Sequence, residues 1–127
     1  MMVAISFTFP PAEYLIPEDL KLSTIRRRNP TKEEQIKRAG LLQLYWKQRT
    51  PECKLLGIRQ LRKIEVINVP IIQFIHDAPE TVIYREGFGH DRVAMENFFT
   101  SMYDKEILGT TGAFYMVTWW PMRWEVL

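Results

Sequence analysis

Prolines and glycines cut this chain into short pieces, and most of the pieces are β-prone. Pro10-Pro11, Pro70 and Pro121 each close a run rich in Val, Ile, Leu, Phe or Trp, Asn29-Pro30 ends a shorter β-prone run, and Gly40 stands just before another. Proline cannot donate to a β-ladder and breaks a helix interior, so such punctuation favours short elements folded across one another. Residues 3–9, 22–28 and 41–48 read as strands, and residues 55–69 as one long bent strand or a hairpin. Residues 71–75 and 81–84 are further short strand candidates. Residues 114–120 are apolar on both faces, which predicts a strand buried on both sides.

Helices are fewer in this reading. Residues 12–20 form a short helical turn or loop. Thr31-Lys32-Glu33-Glu34 has the capping-box spacing, which starts a helix that ends near Ala39, with Gly40 as its left-handed stop. Residues 91–103 carry Met95, Phe98, Phe99 and Met102 at i, i+3, i+4 and i+7, the stripe of an amphipathic helix. At 127 residues the chain holds one domain. The expected fold is α+β, mostly β: a small mixed barrel of five to seven strands, closed or nearly so, with two or three peripheral helices.

Composition narrows the setting. An apolar fraction of 46% and a charged fraction of 25% suit a globular protein. No apolar run approaches the roughly 18 residues of a membrane span, and no membrane partner is expected. The first residues lack a basic segment and read as a strand rather than a signal peptide. Cys53 is the single cysteine, which favours a cytoplasmic setting and excludes an internal disulfide. With one Cys and two His, metal-ligand spacing is missing, so neither a metal nor another cofactor is expected.

Charge is unevenly distributed. Residues 21–63 hold thirteen Lys or Arg and three acids, a balance of +10, against −8 for the remainder. One reading is two mutually attracting, solvated faces. The other is a basic surface for a polyanion, most often nucleic acid, with Arg26, Arg27 and Arg28 alternating along a strand.

Two segments concentrate the chemistry. Lys21, Thr24, Ile25 and Arg26 form K-x-x-T-I-R, and Glu86-Gly87-Phe88 supplies a carboxylate beside a glycine. Together they suit one small polar pocket for a base, a nucleotide or a phosphate. In a regular strand Lys21 and Thr24 point to opposite faces, so they converge only if Lys21 precedes the strand or a bulge intervenes. A purely structural alternative pairs Glu86 with Arg26 as a salt bridge. Trp46, on the basic segment, and the run Trp119-Trp120-Pro121-Met122-Arg123-Trp124 offer faces for stacking on unpaired bases, although burial in the core is the competing role. Trp119 and Trp120 cannot both face inward. His76-Asp77 and His90-Asp91 are possible orienting pairs that suit loop or capping roles equally well.

The order of these features resembles the ASCH domain of the PUA-like superfamily: a strand, K-x-x-T-I-R, Gly40 before the Leu41-Leu42-Gln43-Leu44 strand, a long Ile/Val-rich segment, then E-G-F before a helix. The likeness spans about Ile5 to Trp119. It implies a barrel fold and binding of RNA, single-stranded nucleic acid or a modified nucleoside. It also implies an alternative, since one bacterial branch of the family hydrolyses the acyl amide of N4-acetylcytidine without a metal. The matching catalytic residues here are Lys21 as base, Thr24 as nucleophile and Glu86 as acid, with Arg26 beside them. A threonine hydroxyl needs an adjacent base, a lysine serves when burial or nearby cations lower its pKa, and a carboxylic acid donates only where burial favours its neutral form. The family often has a Gly-x-Lys-Thr turn where this chain has Asp19-Leu20-Lys21-Leu22-Ser23, a departure that bears on how Lys21 is aimed. A third role, a protein-interaction module whose pocket is vestigial, would suit scattered basic residues and a pocket filled by side chains.

Overall fold

In the computed structural model, residues 2–122 are described; Arg123 and Trp124 of the aromatic run lie outside them. Five strands form one mixed sheet in the order β1-β3-β4-β5-β2. They are β1 (Val3–Phe7), β2 (Ser23–Arg27), β3 (Leu41–Trp46), β4 (Lys54–Ile67) and β5 (Phe114–Trp119). β1 runs parallel to β3, and the other pairings are antiparallel. Residues 54–67 are therefore one long strand, not a hairpin. It bends at two register shifts, one opposite Leu44/Tyr45 and one between Leu61 and Lys63, and such bulges sharpen local twist.

The expected closure into a barrel does not occur. β1 and β2 are the two ends of the sheet order and share no backbone ladder. Side chains span the seam instead. Arg26 Nη2 on β2 donates to the Ser6 carbonyl on β1 at 2.7 Å, and Lys32 Nζ donates to the Ala4 carbonyl at 2.5 Å. Two cations thus occupy acceptors that an open strand edge would offer to another chain.

Six helices flank the sheet among the described residues, more than the sequence pattern suggested: α1 (Ala12–Leu15), α2 (Pro30–Ala39), α3 (Ile71–Asp77), α4 (Glu80–Ile83), α5 (Arg92–Met102) and α6 (Lys105–Leu108), with a π-helical turn over Tyr84–Phe88. Residues 71–75 and 81–84, expected as strands, are helical. A short apolar run does not distinguish the two states by periodicity. Pro70 and Pro79 sit at the cap positions that start α3 and α4, and Ile71 and Ile75 fall one turn apart on a single buried stripe. The start of α2 also differs from the expectation. Asn29 is its cap, accepting from Lys32 N at 3.1 Å, and Glu33 reaches back to Asn29 N at 2.8 Å. Pro30 at the first helical position favours this frame over one beginning at Thr31. Gly40 closes α2 with φ 70° as expected.

The sheet divides two apolar clusters. On one face Ile5, Phe7, Leu42, Leu44, Trp46, Tyr115, Val117 and Trp119 pack with Ile16 and Ile36. On the other, Ile25, Ile67, Phe114 and Met116 pack against the helices through Ile71, Ile75, Met95 and Phe99. β5 contributes to both clusters and is buried throughout, as its two-faced apolar pattern requires.

Candidate functional site

The seam between β1 and β2 carries the residues singled out by sequence. β2 begins at Ser23, so Lys21 precedes the strand and escapes its alternation. Lys21, Thr24, Arg26 and Glu86 all line one cavity of about 130 Å³. Phe7, Phe9, Phe88 and Phe98 line it too. Phe9, Phe88 and Phe98 form a mutual cluster, with ring centres 5.2–5.7 Å apart. The pocket is therefore apolar on its walls, with a few polar groups aimed inward, the usual composition of a small-molecule site.

Two backbone devices bring the polar groups together. The first is the turn that leads into Lys21. Asp19 adopts a left-handed φ of 59°, a conformation that a short polar side chain tolerates better than most. Its carboxylate accepts from Met122 N at 3.0 Å and lies 3.4 Å from Arg59 Nε, with both side chains buried. Arg59 Nη2 also donates to the Ile16 carbonyl. The guanidinium lies over Gly57, where a Cβ would come within 2.4 Å of it. This clamp fixes the path into Lys21, whose backbone N–H, like that of Leu20, donates to Leu15 O.

The second device is the π-helical turn. Gly87 has φ 100°, open to glycine and hostile to side chains. A Cβ there would also press on Leu15 and on the Lys21 stem, at 3.2 and 3.4 Å. Leu22 ties this turn to the sheet: its N–H donates to Arg85 O, and its carbonyl accepts from Trp119 N. Lys21 Nζ donates to the Glu86 backbone carbonyl at 2.6 Å, and Ser23 Oγ donates to Glu86 Oε2. The Glu86–Arg26 salt bridge allowed for from sequence does not form. Ser23 was missed by sequence reasoning, although alternation along β2 places it on the face opposite Thr24.

The surroundings weaken the hold of Lys21 on its proton. Burial lowers the pKa of its amine, the Glu86 carboxylate opposes that shift, and Arg26 adds to it. The ammonium position also lies 5.8 Å from the centres of both Phe7 and Phe9. Arg26 Nε donates to Thr24 Oγ1 at 3.1 Å, and its guanidinium stacks 4.9 Å from the Phe7 ring. That bond occupies a lone pair of the threonine and leaves its hydroxyl hydrogen for another acceptor.

Other sequence candidates fall elsewhere. Trp46 is only 7% exposed and belongs to the core, so it presents no face to a base. Its β3 position alternates inward, and Lys47 Nζ covers the ring at 5.2 Å. Trp119 is buried and meets Phe7 edge-on, whereas Trp120 is partly exposed under the Arg62 guanidinium. Arg28 is paired through its Nε with both oxygens of Glu33. Arg27 is exposed and sits on the opposite β2 face from Thr24 and Arg26, yet it lines a groove beside the seam together with them. His90 lies 3.7 Å from Glu80 at the surface, and Asp91 caps α5.

No protein-family model matches the chain, and no curated protein matches it. In fold it is similar to the crystal structure of hypothetical protein PH0355, with a TM-score of 0.61, 13% sequence identity, and coverage of 96% of this chain and 100% of that one. At that identity the likeness concerns the fold alone: a small mixed α+β domain. Among the described residues no helix is long and apolar enough to cross a membrane.

Proposed function

We propose that this protein is an ASCH-type domain of the PUA-like superfamily, built on an open five-stranded sheet, that binds the base of a modified pyrimidine nucleoside, free or within RNA. The observation that carries this reading is the convergence of buried Lys21, Thr24 and Glu86 with half-buried Arg26 on one phenylalanine-walled cavity. Its volume, about 130 Å³, bears on the ligand. A cavity of about 150 Å³ holds a benzene ring, so this one suits a single six-membered ring better than a fused purine. The phenylalanine faces would sandwich the ring, while lysine, guanidinium and hydroxyl groups read its polar edge. Calorimetric titration with cytidine, N4-acetylcytidine and adenosine tests this. Modified cytidine should bind tightest and adenosine weakest; equal binding of all three, or none, removes the reading.

A second reading is hydrolysis of an N4-acyl cytidine, favoured by the lowered Lys21 pKa beside a threonine. The neutral Lys21 amine would take the Thr24 hydroxyl proton as Oγ attacks the acyl carbon. Collapse of the adduct would break the carbon–nitrogen bond, with Glu86 supplying the proton to the leaving amine. Water would then cleave the acyl-threonine ester. The rate should rise with pH through the folded pKa of Lys21, which lies below 10.5. Thr24→Ala and Lys21→Ala should abolish turnover, and Glu86→Gln should slow it by about 10²-fold or more. Absence of cytidine product from N4-acyl cytidines at high enzyme concentration leaves binding as the function.

A further inference from the structure

The seam has a second opening. A groove of about 420 Å³ shares Ser6, Thr24 and Arg26 with the phenylalanine-walled pocket. Lys32, Asn29 and Gln48 line it as well, and no acidic side chain does. Burial lowers the pKa of Lys32, and the charges of Arg26 and Arg49 add to the effect. Arg26, Arg27 and Lys32 line the groove together, and Arg49 follows Gln48 at its edge. The acid nearest in sequence, Glu33, is already bonded to Arg28 and to Asn29 N.

Each cation has donors to spare. Lys32 Nζ gives one hydrogen bond to Ala4 O, and Arg26 gives one from Nε and one from Nη2; an ammonium has three donors and a guanidinium five. Arg49 is exposed and makes no hydrogen bond or ion pair among the described residues. Its turn is nonetheless held in place: Lys47 N donates to Phe7 O, and Gln48 N donates to Ser6 Oγ at 3.1 Å. Lys47 and Arg49 both take left-handed φ, 46° and 68°, at a cost on the order of 1 kcal/mol or more each for side-chain-bearing residues. Like charges gathered at a concave surface repel one another until an anion occupies it.

We propose that this groove holds a phosphoryl group carried on the ribose of the nucleoside whose base enters the pocket. The ligand is then a ribose phosphate, as a mononucleotide or within an RNA strand, and not a free nucleoside. The inference rests on the pocket reading above and adds the class of ligand to it. Arg26, shared by both openings, is the hinge of the argument, since one side chain would touch base and phosphate at once.

The test is calorimetric titration at low and high salt with N4-acetylcytidine, its 5′- and 3′-monophosphates, a short RNA containing the same residue, and inorganic pyrophosphate. One monophosphate should bind about 10-fold tighter than the nucleoside at low salt, because charge-assisted bonds to phosphate are the strong ones. In Lys32→Ala/Arg49→Ala that advantage should vanish while nucleoside affinity stays unchanged. For the RNA, the salt slope should fall by about one per lost phosphate contact. Arg49→Ala alone, at an exposed side chain, keeps the test valid if Lys32→Ala weakens folding. Monophosphates and RNA both no tighter than the nucleoside, or an advantage that survives the double variant, overturn the proposal. Pyrophosphate binding that is lost in the double variant, with no nucleoside binding at all, would uphold the groove as an anion site and remove the base pocket. An advantage seen only with RNA would assign the phosphate to a strand.

Discussion

The helix-covered face of the sheet and the β1–β2 seam meet burial in opposite ways. Beneath α3 and α5 the sheet buries Ile67, Ile71, Ile75, Met95 and Phe99 against Phe114 and Met116, with apolar atoms on both sides. At the β1–β2 seam it buries Lys21, Ser23, Thr24 and Glu86, all at most 5% exposed. The first region lowers free energy by removing apolar surface from water. The second pays a desolvation cost that hydrogen bonds only partly return. A region that opposes folding and still holds its geometry is a candidate for function, and the contrast can be tested by breaking each side in turn.

Ile75→Ala, on the helical face, should cause the largest loss, about 2–5 kcal/mol from lost transfer energy plus cavity. Chemical denaturation measures it, and ligand affinity of the folded fraction should be unchanged. Gly87→Ala should come next, at about 1–3 kcal/mol for a side chain forced into positive φ. Unlike Ile75→Ala it should also weaken binding, because it pushes on the Lys21 stem; a variant with wild-type affinity would show that the π-helical turn does not aim Lys21. Removing both buried charges in Lys21→Met/Glu86→Gln should leave thermal stability at neutral pH equal or higher, while binding is lost. Arg28→Ala should have the smallest effect, about 0.2–1 kcal/mol, because its pair with Glu33 is partly exposed.

The pH dependence sharpens the same contrast. The folded pKa of Lys21 lies below its unfolded value near 10.5. Between those two values the unfolded chain binds more protons than the folded one, so stability rises with pH. Denaturation midpoints of the wild type should therefore gain on Lys21→Met as pH climbs through that window, and below the folded pKa the difference should be flat. The opposite slope would mean that Lys21 is held as a stabilised ammonium.

Much of this was legible in the sequence. The strands at β1, β2, β3 and β5, the helix over Arg92–Met102 and the Gly40 stop all follow from periodicity and turn chemistry. The meeting of K-x-x-T-I-R with E-G-F at one cavity was expected from the pairing of those two motifs, against the strand alternation that sets Lys21 and Thr24 apart. Helices α3 and α4 were hidden because four or five apolar residues fit either state until the partner surface is known. The open seam was hidden because closure depends on how far a twisted sheet curls, which no local pattern states. Trp46 looked available because a tryptophan between Tyr45 and Lys47 reads as surface; register against β1 and β4 turns it inward. Of the cations at the groove, Arg26 and Arg27 were singled out in the sequence, whereas Lys32 and the nearby Arg49 were missed. Arg26, Lys32 and Arg49 come from a strand, a helix and a turn that only folding makes adjacent.

The Asp19 clamp has an evolutionary corollary. Asp19 holds its left-handed turn beside Arg59, and Arg59 packs over residue 57, where a Cβ would come within 2.4 Å of the guanidinium. Positions 19, 57 and 59 should therefore vary together. A change at 19 that releases Arg59 would also open position 57 to larger residues. Lineages that keep the aspartate should keep all three.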